Sequence, residues 1–245
     1  MNPAYTELAS VYDRFMADAP DDCWLDWLDD QIPDLKDKTA ADLGCGTGRF
    51  TVRLAPRVKR LVGVDASVAM LAVAYERARE LRVPVQWLLQ DLRNLRLPEP
   101  VHLLVSTCDS FNYLIDADDF RRALLAARHN LLPSGWLCFD LIGPSRVASL
   151  ADGLSYDLDE EAAVIFTSAV AANGLVQYEV HAFLRQEDGD YRRIVEEHQQ
   201  RFYRQEEVRA LLQECGFTQV QVLGDFGHTP VSQAERWLVR AVREP

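Results

Sequence analysis

From Thr39 to Leu141 short apolar runs alternate with stretches in which apolar residues recur every three or four positions. That alternation predicts parallel strands joined by helices. "TAADL" (39–43) reads as the first strand, "RLVGVD" (60–65) as the second and "PVQWLLQD" (84–91) as the third; "VHLLVSTCD" (101–109) and "WLCFDLI" (136–142) read as the fourth and fifth. After the second strand, Val68, Leu71, Ala74, Ala78 and Leu81 fall at helical spacing behind Ser67, a fitting N-cap. Another helix is expected from Ala117 to Leu132, ending at "PSG".

Past Pro144 the helical period fades and three extended runs take over, "AAVIFTSAV", "LVQYEVHAFLRQ" and "YRRIVEEHQQRFY". Asn173-Gly174 and "EDGD" between them are hairpin turns, so an antiparallel meander is expected here, inserted into the α/β pattern. The helix "RQEEVRALLQEC", stopped by Gly216, and two strands, "FTQVQVLG" and "RWLVRAV", complete the chain. The expected division is one domain from 1–150 and 202–245, with 151–201 as the insert.

Composition narrows the function. A chain of 245 residues with 48% hydrophobic content can bury one large core. A net charge of −12 disfavours nucleic acid and anionic membranes as partners and suits a small neutral or cationic ligand. The cysteines, Cys23, Cys45, Cys108, Cys138 and Cys215, form no C-x-x-C pair, so no metal is expected and free thiols in a reducing compartment are. With no signal-peptide pattern and no apolar run of spanning length, the expected location is the cytoplasm.

The candidate chemistry gathers where strands end. "DLGCGTG" (42–48) places Gly44, Gly46 and Gly48 in the turn from the first strand into a helix, at the sheet edge where open α/β folds bind ligands. A tight turn alone would also use these glycines. The spacing is G-x-G-x-G and lacks the G-x-G-x-x-G of dinucleotide enzymes, which weighs against a dehydrogenase. Asp65 ends the second strand, where a carboxylate can accept both ribose hydroxyls or simply cap the next helix. Asp91, with Leu92 beside it, ends the third and could take the exocyclic amine of an adenine lying on Met70 or Leu92. Together these residues describe a nucleoside site.

These motifs resemble those of the class I S-adenosylmethionine-dependent methyltransferases: besides "DLGCGTG", the chain carries "VDAS" (64–67), "QDLRNL" (90–95), "LLPSGWLCFDL" (131–141) and "FYRQEEVRALLQECGF" (202–217). The opening "YTELASVYDRFM" and "CDSFNYL" (108–114) are similar to a small-molecule branch that contains sugar-amine N,N-dimethyltransferases, glycine N-methyltransferase and an uncharacterised bacterial group. The resemblance implies a Rossmann-like, mostly parallel seven-stranded sheet with helices on both faces and an inserted meander, and S-adenosyl-L-methionine as cofactor. It implies transfer to a small molecule with an amine or hydroxyl; an RNA or protein methyltransferase, or a non-catalytic adenosylmethionine binder, remain the alternatives. Cofactor contacts would come from Tyr12, Asp42, Gly44, Cys45, Gly46, Gly48, Asp65, Ala66, Met70, Asp91, Leu92 and Cys108. Asp42 either receives the methionyl amine or fixes the turn, and Tyr12 either folds over the cofactor or belongs to the core. Trp24 and Trp27 could do the same as Tyr12 or form a helix stripe.

The acceptor is expected over the fourth strand's end, beside Cys108, Asp109, Ser110, Asn112 and Tyr113, with Asp109 as the catalytic carboxylate, or else Asp109, Ser110 and Asn112 simply hydrogen-bond a tight loop. His181, on the central meander strand with Gln177, Glu179, Phe183 and Arg185, is the second catalytic candidate if that face covers the pocket. The meander is expected to be an acceptor-covering lid, or else the surface through which a homodimer pairs.

Overall fold

The computed structural model describes residues 8–9, 11–16, 18–151, 153–158 and 160–245, so residues 5–7 and 10 of the opening motif lie outside the described residues. The strands are β1 (Thr39–Leu43), β2 (Arg60–Asp65), β3 (Gln86–Leu89), β4 (Val101–Ser106), β5 (Leu131–Ile142), β6 (Gly153–Leu158), β7 (Ala162–Val170), β8 (Leu175–Arg185), β9 (Tyr191–Arg201), β10 (Phe217–Gly224) and β11 (Arg236–Arg243). The helices are α1 (Tyr12–Phe15), α2 (Asp21–Gln31), α3 (Arg49–Leu54), α4 (Val68–Leu81), α5 (Ala117–Asn130), α6 (Pro144–Leu150) and α7 (Gln205–Glu214).

Seven strands form one sheet in the order β10-β11-β5-β4-β1-β2-β3, with β11 antiparallel to both neighbours and the remaining pairs parallel. β1 pairs with β2 on one side and β4 on the other, so the strand order reverses there. That reversal opens the crevice in which such sheets hold ligands. One face carries a core built on Phe111, Phe120, Phe139, Leu124 and Leu212; the other carries Trp24, Leu28, Phe50, Leu61 and Leu103. Trp24 and Trp27 meet edge to face at 5.4 Å within the buried stripe of α2, which makes them core residues.

The parallel sheet departs from the sequence pattern at its ends. β3 is shorter than 84–91, because Asp91 turns the chain into a 3-10 helix (Leu92–Asn94) by accepting from the Arg93 amide at 2.8 Å. β4 stops at Ser106, three residues early, because Cys108 and Asp109 take left-handed conformations (φ +58° and +52°). α5 ends at Asn130 and β5 starts at once, passing "PSG" with Ser134 at φ +61° as an irregularity inside the strand.

The inserted sheet has four strands, β6-β7-β8-β9, all antiparallel, where three were expected. β6 escaped notice because it is exposed on both faces and lacks a buried stripe to read. The seven residues of α6, which begins with Pro144 at its first position, span too little chain to show a period. On β8 the alternate residues Val176, Val180 and Ala182 are buried, with Val164 and Ile194 beside them and Leu8 of the N-terminal segment over them. The other parity, Gln177 to Arg185, faces outward.

Candidate active site

Gly44, Gly46 and Gly48 all have positive φ (+69°, +53° and +73°), but three different surroundings. A side chain at Gly44 would strike Ser110, its Cβ 2.5 Å from Oγ. One at Gly48 would lie 2.9 Å from both Ala74 Cβ and the Trp87 ring. At Gly46 nothing described lies within 4 Å. Packing therefore accounts for the first and third glycines, and only Gly46 turns its bare Cα toward open space.

That space is a small cleft at the carboxyl ends of β1 and β4. Gly44, Cys45, Gly46 and Thr47 form one wall, Thr107 and Cys108 another, and Tyr12, Asp13 and Met16 close it from above. The N-terminal segment is fastened across the cleft. The Thr47 hydroxyl donates to Asp13 Oδ1 at 2.6 Å, Arg77 pairs with the same carboxylate, and Arg49 reaches the Met16 carbonyl and pairs with Asp21 at 3.1 Å. At its far end the Leu8 amide donates to Glu196 Oε1 at 3.0 Å, so the segment bridges the two sheets.

Of the predicted cofactor residues, the cleft gathers Tyr12, Gly44, Cys45, Gly46 and Cys108 in its lining. Asp65 reaches it through the Gly46 amide, which donates to Oδ2 at 2.8 Å, while Oδ1 accepts from the Ser67 amide at 2.8 Å. Burial raises the Asp65 pKa above the ordinary carboxylate value. Asp42 is buried beneath the turn: Thr51 donates to its Oδ2 at 2.6 Å and, among the described residues, its Oδ1 has no hydrogen-bond partner. Burial pushes its pKa up to about 7, a cost that a cation nearby would offset.

Gly48, Ala66, Met70, Asp91 and Leu92 lie outside the cleft lining. Asp91 is committed to Arg93, whose Nε lies 2.9 and 3.1 Å from its two oxygens and whose other end reaches Asp119 at 2.7 Å. Met70 is buried in α4, its amide donating to the Ser67 Oγ cap at 3.3 Å. Burial pushes the Cys108 thiol up to about 12 and raises that of Cys45 well above its usual value, so both are neutral lining groups.

At the other end of the cleft the turn after β4 is held by Asp140, a fully buried carboxylate near the end of β5. It accepts the Cys108 amide at 3.1 Å and the Asp109 amide at 2.7 Å, and pairs with Arg236 of β11. Arg236 also stands 3.7 Å from Asp109 Oδ1, and Gln200 Nε2 donates to Asp109 Oδ2 at 2.7 Å. Asp109 is thus fixed from the core on one side and from β9 on the other. Tyr113 lies edge-on to His198 of β9, with centroids 6.1 Å apart.

One predicted acceptor residue, Asn112, and one predicted catalytic residue, His181, are placed otherwise than expected. Asn112, fully buried, spends its side chain on backbone: Nδ2 donates to the Arg201 carbonyl at 2.7 Å and Oδ1 accepts the Ile142 amide at 3.1 Å, tying β9 to β5. His181 points away from the cleft, because the parity of β8 that packs inward is Val176, Val180 and Ala182. Its Nε2 lies 2.5 Å from Glu179 Oε1 and its Nδ1 2.8 Å from Arg193. The histidine that β9 turns inward is His198, buried beside Glu196 at 3.3 Å. A signal for this was in the sequence: Val176, Tyr178, Val180, Ala182 and Leu184 make the apolar parity of β8. Asp140, a carboxylate inside the apolar run "CFDLI", was a second overlooked signal.

A family model described as "Methyltransferase domain" matches residues 40–135. Over 240 residues, 97% of this chain and 96% of the relative, the sequence is 32% identical to YqeM of Bacillus subtilis (strain 168), a provisionally named methyltransferase. A dTDP-4-amino-2,3,4,6-tetradeoxy-D-glucose N,N-dimethyltransferase of Saccharopolyspora spinosa is 31% identical over 94 residues, 38% of this chain and 36% of that protein. Among solved structures, an S-adenosylmethionine-dependent methyltransferase from Clostridium acetobutylicum ATCC 824 superposes with a TM-score of 0.87 at 25% identity, covering 98% of this chain and 99% of that one. The sugar N-methyltransferase KedS8 from Streptoalloteichus sp. ATCC 53650 shares the fold at a TM-score of 0.79 and 21% identity, covering 100% and 96%.

Proposed function

Because this chain belongs to the S-adenosylmethionine-dependent methyltransferases, we propose that its acceptor is a small molecule presenting an amine or hydroxyl at the Asp109 end of the cleft. The observation that carries this reading is enclosure. The N-terminal segment packs over the turn after β1, where Thr47 donates to Asp13, and the inner face of the four-stranded sheet reaches the turn after β4, where Gln200 donates to Asp109, so the cleft lies under covering chain, as small-molecule sites do. The amino-sugar N,N-dimethyltransferase of Saccharopolyspora spinosa among the relatives supports the same class.

In this reading the open side of Gly46 admits the cofactor, Asp65 accepts its ribose hydroxyls, and the unpartnered Oδ1 of Asp42 receives its amine. Tyr12 and Met16 cover it. An adenine contact at Asp91 would require Arg93 to share that carboxylate, so Asp91 contributes less than Asp65. The bound cofactor supplies a methyl group already activated by a sulfonium. The chain's own residues then align and desolvate: Asp109, immobilised by Arg236 and Gln200, accepts a hydrogen bond from the acceptor and aims its lone pair. The covering sheet excludes water from the reacting pair. The five free cysteines accord with a cytoplasmic location. A homodimer would pair through the outer face of the four-stranded sheet, where Tyr156, Ile165 and Val195 stand exposed in one cross-strand row with His181.

The test is release of adenosylhomocysteine with fractionated cell extract, the acceptor being identified by its gain in mass. A polar, low-molecular-weight product supports the proposal. Turnover confined to RNA or protein fractions, or binding of adenosylhomocysteine with no turnover in any fraction, overturns it.

A further inference from the structure

Building on that reading, we propose that the acceptor is recognised by the inward face of β9, through Gln200 and the His198–Glu196 pair, and that this face selects ligands offering N–H or O–H groups. The three side chains alternate along the strand, so they project to one side, from the Leu8 amide held by Glu196 at one end to Asp109 held by Gln200 at the other.

Gln200 carries the inference. It is only 2% exposed, its Nε2 donates to Asp109 Oδ2 at 2.7 Å, and among the described residues its Oε1 has no hydrogen-bond partner although it is buried. A buried amide oxygen without a donor is disfavoured, and a strand whose purpose was only to fasten the sheet would be better served by an apolar residue. The bond to Asp109 fixes which end of the amide is oxygen, since the carboxylate can only accept. The unpartnered oxygen beside Asp109 is therefore a buried hydrogen-bond acceptor next to a carboxylate. A ligand group that donates completes both.

The neighbouring side chains extend the same chemistry. His198 is 5% exposed, lies 3.3 Å from Glu196 Oε2 and packs against the Tyr113 ring, which leaves its ring orientation fixed from two sides. Asp109 is countered locally by Arg236, whose guanidinium is shared with the buried Asp140. Such a surface repels carboxylate or phosphate and accepts a neutral or cationic donor. Gln200 and His198 are thus specificity-determining residues, and Asp140 and Arg236 act through Asp109 as positioning residues.

Two measurements test this. In the adenosylhomocysteine-release assay, Gln200→Met should raise the acceptor KM about tenfold while cofactor affinity stays near wild type, the loss expected for one hydrogen bond to substrate. A lowered melting temperature with an unchanged KM would make Gln200 an internal strut and overturn the proposal. Independently of any acceptor, the glutamine side-chain NH2 resonances of the wild-type protein saturated with adenosylhomocysteine can be followed by NMR. The probes are ethanolamine, acetate and inorganic phosphate at millimolar concentration, and Gln200→Met assigns the signal. A shift with ethanolamine alone supports the proposal; no shift with ethanolamine, or equal shifts with the anions, overturns it. If ethanolamine moves the Gln200 signal but no extract fraction turns over, the recognition face stands and the small-molecule transfer reading fails.

Discussion

The two sheets meet at Asp109 and present their candidate ligand groups in different ways. In the seven-stranded sheet those groups stand on the turns that follow β1, β2 and β4, and the backbone itself contributes: Gly46 offers a bare Cα, and Asp65 is aimed by the amides of Gly46 and Ser67. In the four-stranded sheet they stand on the face of a strand, and whether a residue meets the cleft depends on its parity alone. A turn marks itself by glycine and aspartate at fixed offsets from a strand. A strand face is marked only by which parity is apolar, and a one-residue shift exchanges every member.

The comparison predicts where damage should fall. The largest effect is expected at the turn. Asp65→Ala removes the carboxylate proposed to hold both ribose hydroxyls and also releases the amides of Gly46 and Ser67. Charge-assisted hydrogen bonds are worth about 1.5–3 kcal/mol each, so affinity for adenosylhomocysteine should fall on the order of a hundredfold. Calorimetry gives the answer, and an unchanged Kd would remove Asp65 from the cofactor site.

How much of this was legible follows the same division. The parallel strands, the helix behind Ser67 and both hairpin turns could be read from strand runs, the Ser67 cap and turn chemistry, although the helix buries Met70, Ala74 and Ala78 and leaves Val68 and Leu81 of the expected stripe exposed. The end of β4 could not, since the left-handed Cys108 and Asp109 are held by Asp140, 31 residues or more away in sequence. Asn112 looked like a ligand group for the same reason. Its partners, the Arg201 carbonyl and the Ile142 amide, come from strands that only the tertiary fold brings together. His181 was misplaced although the apolar parity of β8 was available, because a polar and aromatic face resembles a binding surface when the packing partner is unknown. The arginines that fasten the N-terminal segment carry no sequence signature, since Arg49 and Arg77 sit on ordinary helical positions.

A paired substitution separates packing from binding within the turn and should give the next largest effect. Gly48→Ala puts a methyl 2.9 Å from Ala74 Cβ and from Trp87 at a residue with φ +73°. Overpacking of this kind costs about 1–3 kcal/mol, and the left-handed conformation about 1–2 more. Gly46→Ala meets no described atom within 4 Å and incurs only the conformational cost. Gly48→Ala should therefore show the lower melting temperature, while Gly46→Ala shows the greater loss of adenosylhomocysteine affinity. The reverse pattern would mean that the open side of Gly46 does not face the cofactor.

The smallest effect is expected at His181, and its smallness is informative. The imidazole lies on the outward parity of β8, between Glu179 and Arg193, so His181→Ala removes one surface network and exposes no core. Exposed ion pairs contribute about 0–1 kcal/mol and surface substitutions usually change stability by less than about 0.5 kcal/mol. Melting temperature, cofactor affinity and turnover should all stay near wild type, in contrast to His198→Phe, which alters the inward face two strand positions from Gln200. If His181→Ala instead lowered turnover while sedimentation showed an unchanged association state, the outward face of this sheet would have to reach an acceptor. The parity argument that separates the two sheets would then be wrong. If it changed association and left turnover intact, the outer row of Tyr156, Ile165, His181 and Val195 would be identified as the surface through which two copies pair.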